Sequence, residues 1–150
     1  MGREATLAGM EGRVEAIHMA ARHTELPRAS GRVEVQLAGL VGDRHHGRGD
    51  ITLIEAEALD GLREDTGIEL SPAEVRRQVL TRHVRLNDLV GRRFTVGEVE
   101  CLGVELCEPC SRLQRLTQPG VLKGLVHRGG LRAEIVSEGS IAVGDRVAEA

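Results

Sequence analysis

Two cysteines three positions apart, Cys107 and Cys110, give this chain its strongest chemical signal. Pro109 lies between them, and proline suits the first position of a helix because its missing N–H would be unpaired there. The spacing predicts a helix that begins at Pro109, with Glu108 as the N-cap and Cys110 in the first turn. The partial positive charge of a helix N-terminus favours thiolate over thiol. Cys110 is therefore a candidate nucleophile, sulfur carrier or soft-metal ligand. The alternative is a buried, inert side chain.

A second segment, residues 39–50, combines two histidines, two aspartates, two arginines and four glycines. Glycine lets a backbone approach a ligand closely. Histidine supplies a metal-binding nitrogen or a proton donor near neutral pH. We interpret Asp43, Arg44, His45 and His46 as candidate binding residues, the alternative being a solvated turn.

A third segment begins with Arg76-Arg77-Gln78. Residues 76–93 contain six arginines and one acidic residue, a local charge of +5 with histidine neutral. Arginine forks and a carboxamide suit phosphate and pterin-like heterocycles. Arg76 and Gln78 are therefore further candidate binding residues. The alternative is a solvent-exposed charged run, which we favour for Arg92-Arg93.

Two other uses of the cysteine pair are weaker. Cys107 and Cys110 have zinc-knuckle spacing, and His45 or His46 could complete a site, but only the isolated His127 follows downstream. A thioredoxin-type redox pair would follow a strand in a βαβ pattern, whereas the surrounding pattern predicts a β meander.

Composition limits the class of protein. The 150 residues, 41% of them hydrophobic and 29% charged, suit one domain that covers residues 1–150. No apolar run approaches the ~20 residues needed to span a bilayer, and the N-terminus lacks the apolar core of a signal peptide. We therefore expect a cytoplasmic protein with reduced thiols and no membrane partner. Phe94 is the only residue of the Phe, Trp and Tyr set, and the net charge is −3. Both observations argue against a nucleic-acid partner.

Short β-rich runs separated by glycine turns predict a mainly β fold, a β-barrel with about three short helices. One helix is predicted over residues 55–66, and the others are predicted to begin at Pro109 and Pro119. The predicted strands cover residues 12–19, 31–37, 51–54, 78–82, 94–96, 98–105, 131–136 and 146–148.

Taken in order, these segments resemble the MOSC domain, named after the C-terminal domain of molybdenum cofactor sulfurases. The resemblance covers residues 12–147 and looks like a stand-alone bacterial member. It is carried by Gly42-Asp43-Arg44-His45-His46-Gly47, by Arg76-Arg77-Gln78-Val79, by residues 86–94 and by Cys107-Glu108-Pro109-Cys110. Residues 127–133 and 141–145 also have the look of the family.

The resemblance implies a β-barrel with a cofactor cleft and two families of function. Some relatives bind molybdenum cofactor (molybdopterin) and reduce N-hydroxylated compounds, with Cys110 matching the molybdenum ligand. Others handle activated sulfur, with Cys110 matching a proposed persulfide carrier. Arg76 matches an arginine that holds the cofactor, and Gln78 stands where the family usually has asparagine. The 43–46 loop is expected to help hold phosphate and pterin.

Three functions follow from the residues and the resemblance. The first is a molybdenum-cofactor-dependent oxidoreductase, which would need a redox partner. The second is a sulfur carrier loaded by a desulfurase, and the third is a non-enzymatic binding barrel. Lys123 is the only lysine available for a Schiff base, so we expect no pyridoxal-phosphate chemistry on this chain.

Overall fold

The structure is a computed structural model that describes residues 11–150, and within them β-strands dominate. In this range, eleven strands form a curled sheet of eight strands, in the order β11-β7-β8-β9-β5-β6-β1-β2, and a sheet of three strands, β10-β3-β4. Their bounds are β1 Arg13–Met19, β2 Arg28–Ser30, β3 Arg32–Gln36, β4 Gly39–Leu40, β5 Asp50–Glu55, β6 Val79–Arg82, β7 Arg93–Val96, β8 Val99–Leu106, β9 Leu131–Ile135, β10 Gly139–Ala142 and β11 Val147–Glu149.

The larger sheet curls until its two sides meet. The Val14 N–H donates to the Asp145 carbonyl at 2.8 Å, and the Val147 N–H donates to the Gly12 carbonyl at 2.8 Å. These bonds join the start of β1 to the start of β11, at opposite sides of the strand order. A barrel-like, mainly β fold was predicted from the sequence, and the structure confirms it.

Four short α-helices occur among the described residues: α1 Ala56–Thr66, α2 Pro72–Val75, α3 Ser111–Leu116 and α4 Val121–Gly124. A 3₁₀-helix covers Leu86–Leu89. Helix α1 ends at Gly67, whose φ of 77° is a left-handed conformation that glycine adopts without strain. Helix α2 was missed in the sequence, although Ser71 and Glu74 form a capping box around it.

Several predicted boundaries need correction. Helix α3 begins at Ser111 with Cys110 as its N-cap residue, not at Pro109 with Glu108 as N-cap. Helix α4 begins at Val121, after Gly120, rather than at Pro119. Strands β2, β4 and β10 were also missed, because β2 has little apolar character and the glycines that begin β4 and β10 favoured turns.

The predicted β meander is only partly correct, because several neighbouring strands are distant in sequence: β11 and β7, β9 and β5, β6 and β1, and β10 and β3. Strands β5 and β6 pair in parallel, with α1 and α2 forming the crossover between them. A parallel pair needs such a crossover, whereas an antiparallel pair can be joined by a short turn. The helices cover a second apolar cluster, distinct from the cluster inside the barrel.

Five residues that pair in one row across the larger sheet bring distant segments of the chain together. Leu106 of β8 pairs with Leu131 of β9, and Leu131 pairs with Leu53 of β5. Leu53 then pairs with Val79 of β6, which pairs with Ile17 of β1. The segments that adjoin this row carry the cysteine pair, residues 127–130, Arg76-Arg77-Gln78 and the loop after β1.

Candidate functional site

A cleft of about 240 Å³ brings Cys110 together with basic side chains from four separate segments. Four residues predicted from the sequence line it: Arg44, His45, Arg76 and Cys110. The structure adds six more: His23, Arg48, Arg77, Arg112, Leu113 and Leu116. Larger grooves of about 550 and 710 Å³ elsewhere on the described surface contain no cysteine.

The lining of the cleft is strongly cationic. Its ten residues include five arginines and no aspartate or glutamate. None of Arg48, Arg76, Arg77 and Arg112 forms an ion pair with a carboxylate of residues 11–150, as the ion pairs of the structure show. Uncompensated guanidinium groups around a small cavity favour an anionic ligand.

The Arg44 side chain is almost fully buried. It is only 6% exposed, and its contact with the Asp43 carboxylate is long, 3.4 Å from Nη1 to Oδ1. Its Nε is buried without a hydrogen-bond partner among residues 11–150. Burial lowers the pKa of the Arg44 guanidinium, and Asp43 opposes this change. A buried donor without an acceptor is costly, and the residue that carries this donor is part of the cleft lining.

Asp43 and Gln78 lie behind the cleft and do not line it. The Gln78 Nε2 donates to Asp43 Oδ2 at 2.8 Å, and both residues are buried. Asp43 also accepts bonds from the N–H groups of Ala20 and His45, each at 3.1 Å. The Gln78 Oε1 accepts from the Thr52 N–H at 2.9 Å. These contacts fix the loop that carries Arg44 and His45 against the sheet.

The two adjacent histidines of the loop point to different places. The exposed His46 lies outside the cleft, where its Nε2 is 2.7 Å from Gln36 Oε1. His45 lines the cleft, and its ring lies 5.4 Å from that of His23, centre to centre. Burial lowers the pKa of His45, and the neighbouring Arg44 and Arg48 lower it further. His45 is therefore mainly neutral near pH 7.

Cys110 is exposed, whereas the other two cysteines are more enclosed. Burial raises the pKa of Cys101 to about 12. Burial also raises the pKa of Cys107, although Arg77 opposes the change. The thiolate is the reactive form. The enclosure and raised pKa values of Cys101 and Cys107 therefore disfavour their reaction and leave the exposed Cys110 as the accessible thiol.

Arg77 holds the cysteine segment in place. Its Nε donates to the Gly129 carbonyl at 2.8 Å, and its Nη2 donates to the Cys107 carbonyl at 3.2 Å. The Cys107 N–H in turn donates to the Gly130 carbonyl at 2.7 Å. A side chain at position 129 would collide with the Cys107 carbonyl and press on Pro109. Glycine there allows the two segments to pack closely.

Glu108 makes a second attachment between the same segments. Its carboxylate accepts a bond from the His127 N–H at 2.7 Å, and its other oxygen lies 2.7 Å from His127 Nδ1. His127 has a φ of 63°, a left-handed conformation that a non-glycine residue rarely adopts. The hydrogen bonds from His127 lower the pKa of Glu108.

Sequence reasoning missed six residues of the cleft, and these differ in how close they lie to a recognised segment of the sequence. Arg77 belongs to the segment at 76–78, and Arg112 follows the cysteine pair by two positions, so both lie in or beside a segment that the sequence analysis singled out. Arg48 lies in the glycine-rich segment 39–50. His23 lies in a polar loop without a motif and enters the cleft through tertiary contact alone.

Metal-ligating side chains do not converge in the described part of the chain. Within residues 11–150, no three side chains of His, Cys, Asp or Glu are grouped so that they could hold a metal ion. In the same residues, no helix is long and apolar enough to cross a membrane.

The fold and the cleft together define a barrel-like β protein with an accessible thiol in an arginine-lined pocket. The model of the MOSC domain family matches residues 42–148, most of the chain. The chain therefore belongs to the MOSC domain family, as the resemblance had indicated. No curated protein sequence matches it.

Solved structures share the fold at low sequence identity. The YuaD protein from Bacillus subtilis has a TM-score of 0.80 at 15% identity, covering 91% of this chain and 93% of that protein. YiiM from Geobacillus stearothermophilus has a TM-score of 0.75 at 14% identity, covering 93% of this chain and 75% of the other. YiiM from Escherichia coli has a TM-score of 0.69 at 14% identity, covering 92% and 69%.

Proposed function

We propose that this protein binds molybdenum cofactor and acts as an oxidoreductase that reduces N-hydroxylated substrates, with Cys110 as the molybdenum ligand. The observation that carries the proposal is the cleft in which Cys110 lies beside five arginines, with no carboxylate from residues 11–150 in the lining. The cofactor ends in a phosphate and contains a soft metal site. Guanidinium groups suit the first, and a thiolate suits the second.

The donors on this chain fit that group. The buried Nε of Arg44 lacks an acceptor among residues 11–150, and Arg76 lines the same cleft with no carboxylate partner there. These two residues would hold the phosphate, and the neutral His45 would face the pterin. When bound, the cofactor supplies the electron-accepting and electron-donating metal.

The other predicted residues have a supporting place in this proposal. Asp43 and Gln78 would orient the 43–46 loop from behind, since they bond to each other and to the backbone. His46 lies outside the cleft, so it would contribute less than His45. At about 240 Å³ the cleft is smaller than the 300–1,000 Å³ of pockets that enclose drug-sized ligands. Part of the pterin would therefore remain uncovered by this chain.

Metal and pterin content tests the proposal. Wild type and Cys110→Ala are produced in a host supplied with molybdate, and molybdenum and oxidised-pterin fluorescence are measured per chain. The proposal predicts that wild type contains both and that the variant loses molybdenum while its unfolding transition is preserved. Wild type free of metal and pterin would contradict it.

A second function is favoured by the exposure of Cys110. A sulfur carrier must present its thiol to a donor protein and to an acceptor, and Cys110 meets that requirement better than Cys101 or Cys107. A cysteine desulfurase would then be the partner that loads it. Intact mass after incubation with a desulfurase and cysteine would show one added sulfur on Cys110, removable by thiol reductant. An adduct that formed equally on Cys101 would count against this function.

A further inference from the structure

We infer that the Cys110 cleft takes its sulfur directly from small anionic sulfane-sulfur donors, with thiosulfate as the representative of the class. This inference rests on the second proposed function, the carrier role of Cys110, and adds a small-molecule donor to the desulfurase as a source of its sulfur. It requires no molybdenum cofactor.

The first support is charge. A tetrahedral dianion can accept hydrogen bonds from several guanidinium groups at once, and charge-assisted bonds of this kind are the strong ones. Among residues 11–150 the lining contains five arginines and no carboxylate, although Arg76 and Arg77 also donate to backbone carbonyls. Asp43 lies behind Arg44 and uses its oxygens within the protein. The positive charge that faces the cleft is therefore largely uncompensated.

The second support is an unused donor. The Arg44 side chain is only 6% exposed, and the residue lines the cleft. Its Nε has no acceptor among residues 11–150. Arg112 follows Cys110 by two positions, and none of the hydrogen bonds within residues 11–150 uses its side chain. One buried and one exposed guanidinium therefore share a cleft with the thiol.

The third support is size. A volume of about 240 Å³ is many times the roughly 10–15 Å³ that one water molecule needs. A small inorganic anion fits within it together with some of its water. Leu113 and the largely exposed Leu116 add an apolar edge to the lining.

The chemical step balances without an external oxidant or reductant. The Cys110 thiol gives its proton to solvent, and the Sγ thiolate attacks the sulfane sulfur of thiosulfate. A bond forms between Sγ and that sulfur as the sulfur–sulfur bond of thiosulfate breaks, and its electron pair leaves on sulfite. Cys110 then carries a persulfide. A nucleophilic acceptor such as cyanide removes the outer sulfur as thiocyanate and restores the thiolate.

The reduced full-length protein, freed of small molecules, is incubated with thiosulfate at constant ionic strength. Sulfite release and intact mass are followed over time. We expect one sulfur per chain, removed by thiol reductant, with an equal amount of sulfite. Cys110→Ser should form no adduct, and Cys107→Ser should form it normally. Sulfate, an inert anion of similar shape, should slow the reaction relative to chloride.

Two arginines of helix α3 provide a matched pair of variants. Arg112 lines the cleft, whereas Arg115 is exposed outside it, where its Nη1 lies 3.3 Å from Ser111 Oγ. We expect Arg112→Gln to lower the rate constant for thiosulfate by about tenfold, as the loss of one charge-assisted bond predicts. Arg115→Gln should change it little. A neutral disulfide reagent should react with Cys110 at similar rates in wild type and both variants.

The outcomes separate this inference from the carrier function. A persulfide that forms with desulfurase and cysteine but not with thiosulfate would overturn the inference and leave the carrier function standing. Failure with both donors would overturn both. Equal slowing by the two arginine substitutions would also overturn the inference, because general charge rather than the cleft would then explain the rate.

Discussion

The Gln78 side chain donates a 2.8 Å hydrogen bond to the buried Asp43 carboxylate. This bond joins the residue before β6 to the loop that carries Arg44 and His45, two residues of the cleft. Both Asp43 and Gln78 were predicted to bind a cofactor. Their geometry suits orientation of the loop instead, and their role in binding stays a proposal.

Gln78→Leu should destabilise the fold by about 3 kcal/mol, because it leaves the Asp43 carboxylate short of a donor and the Thr52 N–H without its acceptor. Gln78→Asn, which restores the usual residue of the family, should cost about 1–2 kcal/mol, since the shorter side chain cannot span both partners. Urea unfolding measures both. Equal stability of wild type and Gln78→Leu would show that the hydrogen bonds from Gln78 to Asp43 and Thr52 do not stabilise the fold.

Arg77→Gln should loosen the cysteine segment. The substitution removes the donors that hold the Gly129 and Cys107 carbonyls, and we expect a loss of about 2 kcal/mol in the free energy of unfolding. Hydrogen exchange at the Cys107 amide should become faster in the variant, because its bond to Gly130 lies in the same attachment. Arg115→Gln is the control and should leave that exchange unchanged.

The three thiols should differ in reactivity in the native state. We expect iodoacetamide to label the exposed Cys110 fastest, whereas burial raises the pKa of Cys107 and raises that of Cys101 to about 12. Peptide mapping of partly labelled protein measures the order. In denaturant the three rates should become similar. Native labelling of Cys101 at the rate of Cys110 would be inconsistent with the structure.

Glu108 should contribute stability that depends on pH. Its bonds to His127 lower its pKa below the ordinary value of 4.5. The contribution is therefore present above that value and is lost as the pH falls through the lower folded-state pKa. The stability difference between wild type and Glu108→Gln should therefore shrink as the pH falls from about 5 toward 3. A stability difference that stayed constant between pH 5 and pH 3 would argue against the interaction of Glu108 with His127.

Much of the barrel could be predicted from the sequence because its strands alternate clearly. In Arg32–Gln36 the two valines are buried and the polar residues are exposed, a pattern with a period of two. Arg28–Ser30 has no such alternation, and its pairing with β1 depends on tertiary contact. Gly139 favours a turn in the sequence, yet it pairs with Val35 as the first residue of β10.

The lining of the cleft was predictable where a motif marks it, whereas the functional roles of these residues stay predictions. Cys110, Arg44, His45 and Arg76 were found from residue types and their order along the chain. The sequence did not predict where the side chains of Asp43, Gln78 and His46 point, because the orientation of a loop side chain depends on its partners in the fold. The position of Cys110 as N-cap also depended on local geometry, since proline at 109 permits a helix to begin there or later.

The most direct test of the proposed cofactor site is the molybdenum and pterin content of four proteins made under the same molybdate-supplied conditions. They are wild type, Cys110→Ala, Arg44→Gln and the control Arg115→Gln. The account predicts about one molybdenum and one pterin per chain in wild type and control, loss of molybdenum in Cys110→Ala, and loss of both in Arg44→Gln. Equal contents in all four proteins, or none in wild type, would contradict the assignment of this cleft to the cofactor.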